Sequence, residues 1–192
     1  MLSLFKFIFK LKGWKLYLPT PKEAYNAIVV AAPHTSNWDF VYALTALKQL
    51  GVNPRFTIKK EFNRFPFGKM ITNMGALWID RSPKEGQTER KSMTQVMAEL
   101  FSEAEAPLSM LVTPEGTRSP SPKWKTGFYY AALEAKVPIC MAFMDYKTRT
   151  TGIAQCFMPS GNIEEDMKII MDFYRDKEGK YKDNFVLDER FS

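Results

Sequence analysis

Apolar residues in this chain alternate between two spacings. Residues 28–32, Ile-Val-Val-Ala-Ala, form a continuous apolar run that stops at Pro33, the pattern of a strand buried on both faces. Phe40, Val41, Leu44 and Leu47 follow at helical spacing, with Ser36 or Asn37 in the capping position. Residues 55–60, 75–80, 108–113, 139–143 and 152–157 read as further strands. Residues 87–104 carry Met93, Val96, Met97, Leu100 and Phe101 on a helical period, and 127–135 and 162–174 also read as helices. Residues 15–27 are a polar connection punctuated by Pro19 and Pro21. Phe62, Phe65, Phe67 and Met70 cluster around Pro66 and Gly68, and the charged tail after Asp176 is expected to be loosely held. Strands alternating with helices predict a single α/β domain, its mixed and mostly parallel sheet flanked by helices. Residues 145–151 are too few for a helical crossover, so the last strands should pair antiparallel.

The first fourteen residues follow a different pattern. Met1, Leu4, Ile8 and Leu11 share one helical stripe, with Phe7 and Trp14 beside it, Lys6 and Lys10 opposite and Lys12 near its edge. Lysines interrupt the apolar run, so it makes neither a membrane span nor a signal peptide. Two readings fit: an interfacial membrane helix, or a terminal helix closing the protein's own core. The first divides the chain into a membrane-surface helix over 1–18 and a main domain over 19–192.

With 192 residues, 45% of them apolar, the chain can bury a core of its own. A net charge of +6 favours anionic partners such as phosphate esters or acidic lipid headgroups. No nucleic-acid recognition motif is present, and nucleic acid is not expected as a partner. The two cysteines, Cys140 and Cys156, suggest neither a metal site nor a disulfide framework, which fits a reducing compartment. The single histidine excludes a histidine-rich metal centre, and no G-x-S-x-G, G-x-G-x-x-G or Walker loop occurs. No metal or redox cofactor is implied.

Candidate chemistry gathers after the strands. The first four strands are followed by polar residues at 34–39, 59–61, 80–81 and 115–118; in a parallel sheet all four lie at one edge, where such folds bind ligands. His34 as a general base with Asp39 behind it is one reading of the first turn. Ser36 and Asp39 as a capping box is another. Arg118 offers planar, permanently charged donors matched to phosphate, with Gly116 allowing close backbone approach and Glu115 placed to hold the arginine. A Glu115–Arg118 ion pair that merely stabilises the turn fits equally well. Lys123, Trp124 and Lys125 form a basic aromatic stretch, either a phosphate contact or a solvated loop.

His34-Thr35-Ser36-Asn37-Trp38-Asp39 resembles the H-x-S-x-x-D signature of the glycerolipid acyltransferases. Gly75-Ala76-Leu77-Trp78-Ile79-Asp80-Arg81, Pro114-Glu115-Gly116-Thr117-Arg118-Ser119 and Val137-Pro138-Ile139 resemble further blocks of that family, in order. Thr113 departs from it where Phe commonly precedes Pro-Glu-Gly. The resemblance implies His34 and Asp39 as catalytic residues, with Arg118, Glu115, Gly116, Thr117, Lys59 and Arg81 on the acceptor. It also implies a lysophospholipid acceptor such as 1-acylglycerol-3-phosphate, acyl-CoA or acyl carrier protein as co-substrate, and a peripheral place on the cytoplasmic face of a membrane. Met70, Met74, Phe62, Phe65 and Phe67 are candidates for an acyl groove. A thioesterase or lipid hydrolase built on the same His–Asp pair, acylation of a lyso-aminolipid, and a non-catalytic lipid-binding module are the alternatives.

Overall fold

A computed structural model describes residues 2–63, 67–79 and 91–192, with the side chains of Leu2, Ser3, Phe62 and Phe67 left undescribed. Seven strands make one sheet: β1 (Lys15–Leu16), β2 (Ala27–Ala32), β3 (Pro54–Lys59), β4 (Ala76–Ile79), β5 (Ser109–Val112), β6 (Ile139–Asp145) and β7 (Thr150–Phe157), in spatial order β1-β7-β6-β2-β5-β3-β4. All neighbours are parallel except β6 and β7, which pair antiparallel through a short turn. The C-terminal ends of β2 to β5 therefore share one edge, as the strand pattern predicts.

β2 lies centrally and is buried on both faces. Ile28, Val30 and Ala32 pack with Met97, Phe128 and Met171 of α4 (Met93–Ser102), α5 (Gly127–Ala135) and α6 (Ile163–Tyr174). Ala27 and Val29 face the opposite layer, against Leu44 and Leu47 of α2 (Asn37–Gln49). Each fully buried Ile or Val here contributes about 2 kcal/mol of transfer free energy, so a one-residue slip of β2 would exchange both layers at once.

Two stretches acquire structure that their residues did not announce. α3 (Phe67–Met74) forms beside β4, and Lys15–Leu16 adds to the sheet edge by pairing with Thr150 and Thr151. Residues 87–90 of the expected long helix lie outside the described residues; α4 begins at Met93 behind a Ser92–Gln95 capping box. The expectation of unlinked cysteines is overturned. The β6–β7 register sets Cys140 directly opposite Cys156, with Cα atoms 4.0 Å apart, and the two form a disulfide. The reducing compartment inferred from unlinked cysteines loses its basis.

The tail is not loose either. Asp188 is fully buried, its carboxylate accepting the Trp124 N–H at 2.8 Å and pairing with Arg190 at 2.6 Å, while Trp124 Nε1 donates to the Val186 carbonyl. Those contacts correct the solvated reading of residues 123–125 for Trp124 alone, a core residue that is 2% exposed; Lys123 and Lys125 on either side of it are exposed.

α1 (Leu2–Leu11) closes part of the protein's own core with one side and leaves an apolar stripe outside with another. Phe9 is buried against Trp14 and Tyr42, closing a small core over α2. Leu4, Phe7 and Leu11 turn outward, 59%, 63% and 70% exposed. No helix among the described residues is long and apolar enough to cross a membrane.

Candidate active site

The β2–α2 turn is built from its own sequence first. Pro33 ends the strand, and Ser36 caps α2 by accepting the Trp38 N–H, while Asp39 reaches back to the Ser36 N–H to complete a capping box. The capping reading of Asp39 is thus correct, and the same carboxylate does more. Its Oδ2 accepts N–H bonds from Thr35 and Ser36, each at 2.7 Å, and stands 3.6 Å from His34 Nδ1. Its Oδ1 accepts the Tyr146 hydroxyl at 2.6 Å. Asp39 is 3% exposed, and a polar group this buried needs such donors in place of the water it has lost. His34 Nδ1 faces the carboxylate, which leaves Nε2 for the cleft.

A second carboxyl holds the histidine from below. Glu115 Oε1 accepts the backbone N–H of His34 at 2.7 Å, and Oε2 is buried without a hydrogen-bond partner. Burial pushes the Glu115 carboxyl up to about 8; the His34 N–H opposes this and the Asp39 charge adds to it. At neutral pH it mostly carries its proton. Glu115 thus turns away from Arg118, and neither an ion pair nor a buttress between them is formed. Thr113, Pro114 and Gly116 shape the loop: Gly116 takes φ +68°, and a Cβ there would run into the Lys125 side chain.

A cleft of about 420 Å³ opens at this edge of the sheet. His34, Asp39, Gly116, Arg118 and Lys125 supply its polar wall. The apolar wall comes from α2, α4, α5 and the strand ends, including Phe40, Phe56, Met93, Met97, Phe128 and Phe143. Arg118 is exposed and has no carboxylate partner among the described residues. Of the other expected acceptor contacts, Thr117 and Lys59 are exposed and do not line this cleft, and Arg81 lies outside the described residues. Met70 and Met74 are not in its wall either; Met74 packs in the α2-side core. The side chains of Phe62 and Phe67, and all of Phe65, fall outside the described residues.

Three residues at the site had no local signal. Tyr146 lies 107 positions from Asp39, and no spacing rule connects them. Tyr174, fully buried, donates to the Val30 and Ala142 carbonyls and ties α6 to β2 and β6 just below the turn. Gly179 packs on Thr35 and Pro33 so closely that a Cβ would stand 2.7 Å from Thr35 Cγ2. Beside it the Tyr181 N–H donates to Thr35 Oγ1 at 3.3 Å. The C-terminal segment clamps the β2–α2 turn.

The crystal structure of the 1-acyl-sn-glycerophosphate (LPA) acyltransferase PlsC from Thermotoga maritima superposes with a TM-score of 0.56, covering 93% of this chain and 80% of that one at 17% identity. At that identity the likeness shows a shared fold. No curated protein matches the chain significantly. The acyltransferase family profile spans residues 15–144, from β1 into β6 and across both loops of the cleft. The chain belongs to the acyltransferase family.

Proposed function

We propose that this protein is an O-acyltransferase that moves a fatty acyl group from acyl-CoA or acyl carrier protein to the free hydroxyl of a lysophospholipid. The acceptor is 1-acylglycerol-3-phosphate and the product phosphatidic acid. One observation carries the reading: a carboxylate-backed imidazole and a guanidinium with no carboxylate partner among the described residues face the same, mostly apolar, cleft.

The chemistry follows from that arrangement. His34 Nε2 takes the acceptor's hydroxyl proton as the oxygen attacks the thioester carbonyl, and Asp39 stabilises the imidazolium. The tetrahedral intermediate then collapses, the C–S bond breaks, and His34 returns the proton to the departing thiolate. Thr126 places no side-chain cap on α5, so the first turn of that helix, on the cleft wall at Gly127 and Phe128, offers N–H donors to the oxyanion. Arg118 takes the acceptor phosphate and the apolar wall takes an acyl chain.

Within residues 1–18, α1 acts as the membrane-surface element, while β1 belongs to the sheet. Leu4, Phe7 and Leu11 project from α1, with Lys6 and Lys10 exposed as well to meet anionic headgroups at a membrane surface.

The test is a labelled acyl-transfer screen across lysolipid acceptors with both donors, run with and without anionic vesicles. Labelled phosphatidic acid that appears only with lysophosphatidate supports the proposal. Free fatty acid released equally fast without acceptor makes the protein a hydrolase. Product from a lyso-aminolipid alone replaces the acceptor, and vesicle binding without turnover on any thioester leaves only lipid binding.

A further inference from the structure

The turn between β6 and β7 reaches the catalytic pair from a part of the chain that no motif marks. Tyr146 opens this turn, its backbone N–H bonded to the Glu178 carbonyl at 2.9 Å, and its ring packs edge-on against Trp14 with centroids 4.9 Å apart. The ring is therefore held from two sides, and the hydroxyl is delivered to Asp39 Oδ1 at 2.6 Å. A phenol is a weak acid, and burial together with the neighbouring Asp39 and two further tyrosines pushes Tyr146 still higher. The proton stays on the phenol, which donates to Asp39.

The geometry around Asp39 makes that bond consequential. Oδ2 is already shared among two backbone N–H groups and His34 Nδ1. Oδ1 has one partner among the described residues, the phenol. Without it, the plane of the carboxylate is set only by contacts made within residues 34–39 themselves. The His34–Asp39 separation of 3.6 Å is too long for a strong hydrogen bond. Orientation of the carboxylate therefore decides whether Nδ1 or Nε2 of a neutral imidazole holds the proton, and only the Nδ1–H form leaves Nε2 free to act as base.

We propose that Tyr146 is a positioning residue for acyl transfer: by fixing the Asp39 carboxylate from the β6–β7 turn, it holds His34 in the Nδ1–H tautomer. It touches neither substrate nor reacting atoms in this role. The inference rests on the acyl-transfer reading for its kinetic test, but not for its spectroscopic one.

Tyr146→Phe keeps the ring against Trp14 and deletes only the donor. Loss of one hydrogen bond to a charged group predicts a fall of about tenfold in kcat, with the KM values for acceptor and thioester unchanged. In a double-mutant cycle with Asp39→Asn, the second substitution should add no further loss, because both act through one carboxylate. The chain has a single histidine, so ¹⁵N-histidine labelling gives one imidazole whose two nitrogen shifts report the tautomer directly. The wild-type protein should show a predominantly protonated Nδ1, and Tyr146→Phe a mixed population, with thermal unfolding of both recorded alongside. Unchanged tautomer and unchanged kcat overturn the inference. So does a fall in stability and kcat with the tautomer intact, since that is a packing effect. A wild-type protein that transfers no acyl group to any lysolipid defeats the proposed function, yet the nitrogen shifts still decide the role of Tyr146.

Discussion

The two loops that meet over the cleft are built on opposite rules. In the β2–α2 turn the polar groups around the imidazole are engaged: Asp39 by three donors, with His34 Nδ1 a further 3.6 Å away, the His34 N–H by Glu115, the Thr35 hydroxyl by the tail. Across the cleft, residues 116–120 after β5 are exposed, and the Arg118 guanidinium has no ion-pair partner among the described residues. The difference follows from what each side is asked to do. A proton-transfer pair gains from being fixed before substrate arrives, because reorganisation during reaction raises the barrier. A cation meant for a phosphate gains from having no internal partner, because an existing ion pair would have to be broken on binding. On the proposed mechanism, the fixed loop sets rate and the open loop sets affinity.

The largest effect that would break this division is on the fixed side. His34→Ala removes the only imidazole and should lower acyl transfer by at least about a thousandfold, within the range for loss of a general base. The imidazole itself makes no strong hydrogen bond, so the thermal midpoint should move little; its backbone N–H, which Glu115 holds, is kept. Retained turnover in a radiolabelled assay would end the mechanism, and a collapse in stability would make His34 a structural residue.

Arg118→Ala tests the open side, and the expected effect is smaller and of a different kind. The apparent KM for a phosphate-bearing acceptor should rise about 10–100-fold, the loss of one charge-assisted contact, with kcat changed far less. Stability should stay within about 0.5 kcal/mol, as for exposed residues that pack against nothing. Lys59→Ala is the internal control, since Lys59 is exposed at the same sheet edge but outside the cleft wall. If the two variants raise KM equally, the cations act as a diffuse field and Arg118 loses its special place.

The sequence made the sheet and its working edge legible because those depend on local signals. The apolar run at 28–32 and its proline stop define β2, and polar residues after successive strands define the rim. The Ser36–Asp39 spacing announces both the cap and half of the dyad. What stayed hidden depends on contacts between distant residues. Lys15–Leu16 becomes a strand only because β7 offers it an edge, and Cys140 meets Cys156 only once the β6–β7 register is set. The tail reads as loose because it is charged, yet Asp188 is satisfied by Trp124 and Arg190. Glu115 shows the same limit within the site. Three residues from Arg118 in the chain, it was a natural partner for it, but β5 lies beside β2 and directs the carboxyl at the His34 backbone instead.

Glu115 gives the finest probe of the comparison, because it lies in the open loop and serves the fixed one. Its carboxyl is raised from an ordinary 4.5 to about 8, chiefly by burial. The native state therefore binds this proton more tightly than the unfolded chain does. Between those two values the native protein is protonated while the unfolded chain is not, so the contribution to stability is full below pH 4.5 and falls until pH passes about 8. By linkage the whole change is on the order of 3–5 kcal/mol. Glu115→Gln mimics the protonated form, keeps an oxygen for the His34 N–H and cannot ionise. Its unfolding free energy, measured by urea titration from pH 5 to 9, should lack the decline seen in the wild-type protein. The two proteins should be closest at the acid end and furthest apart near pH 9. Acyl transfer at pH 7 should change only a few-fold, since His34 and Asp39 keep their places. Parallel pH profiles would mean that Glu115 is ionised throughout, in which case the open loop carries a charge of its own and the division between the two loops does not hold.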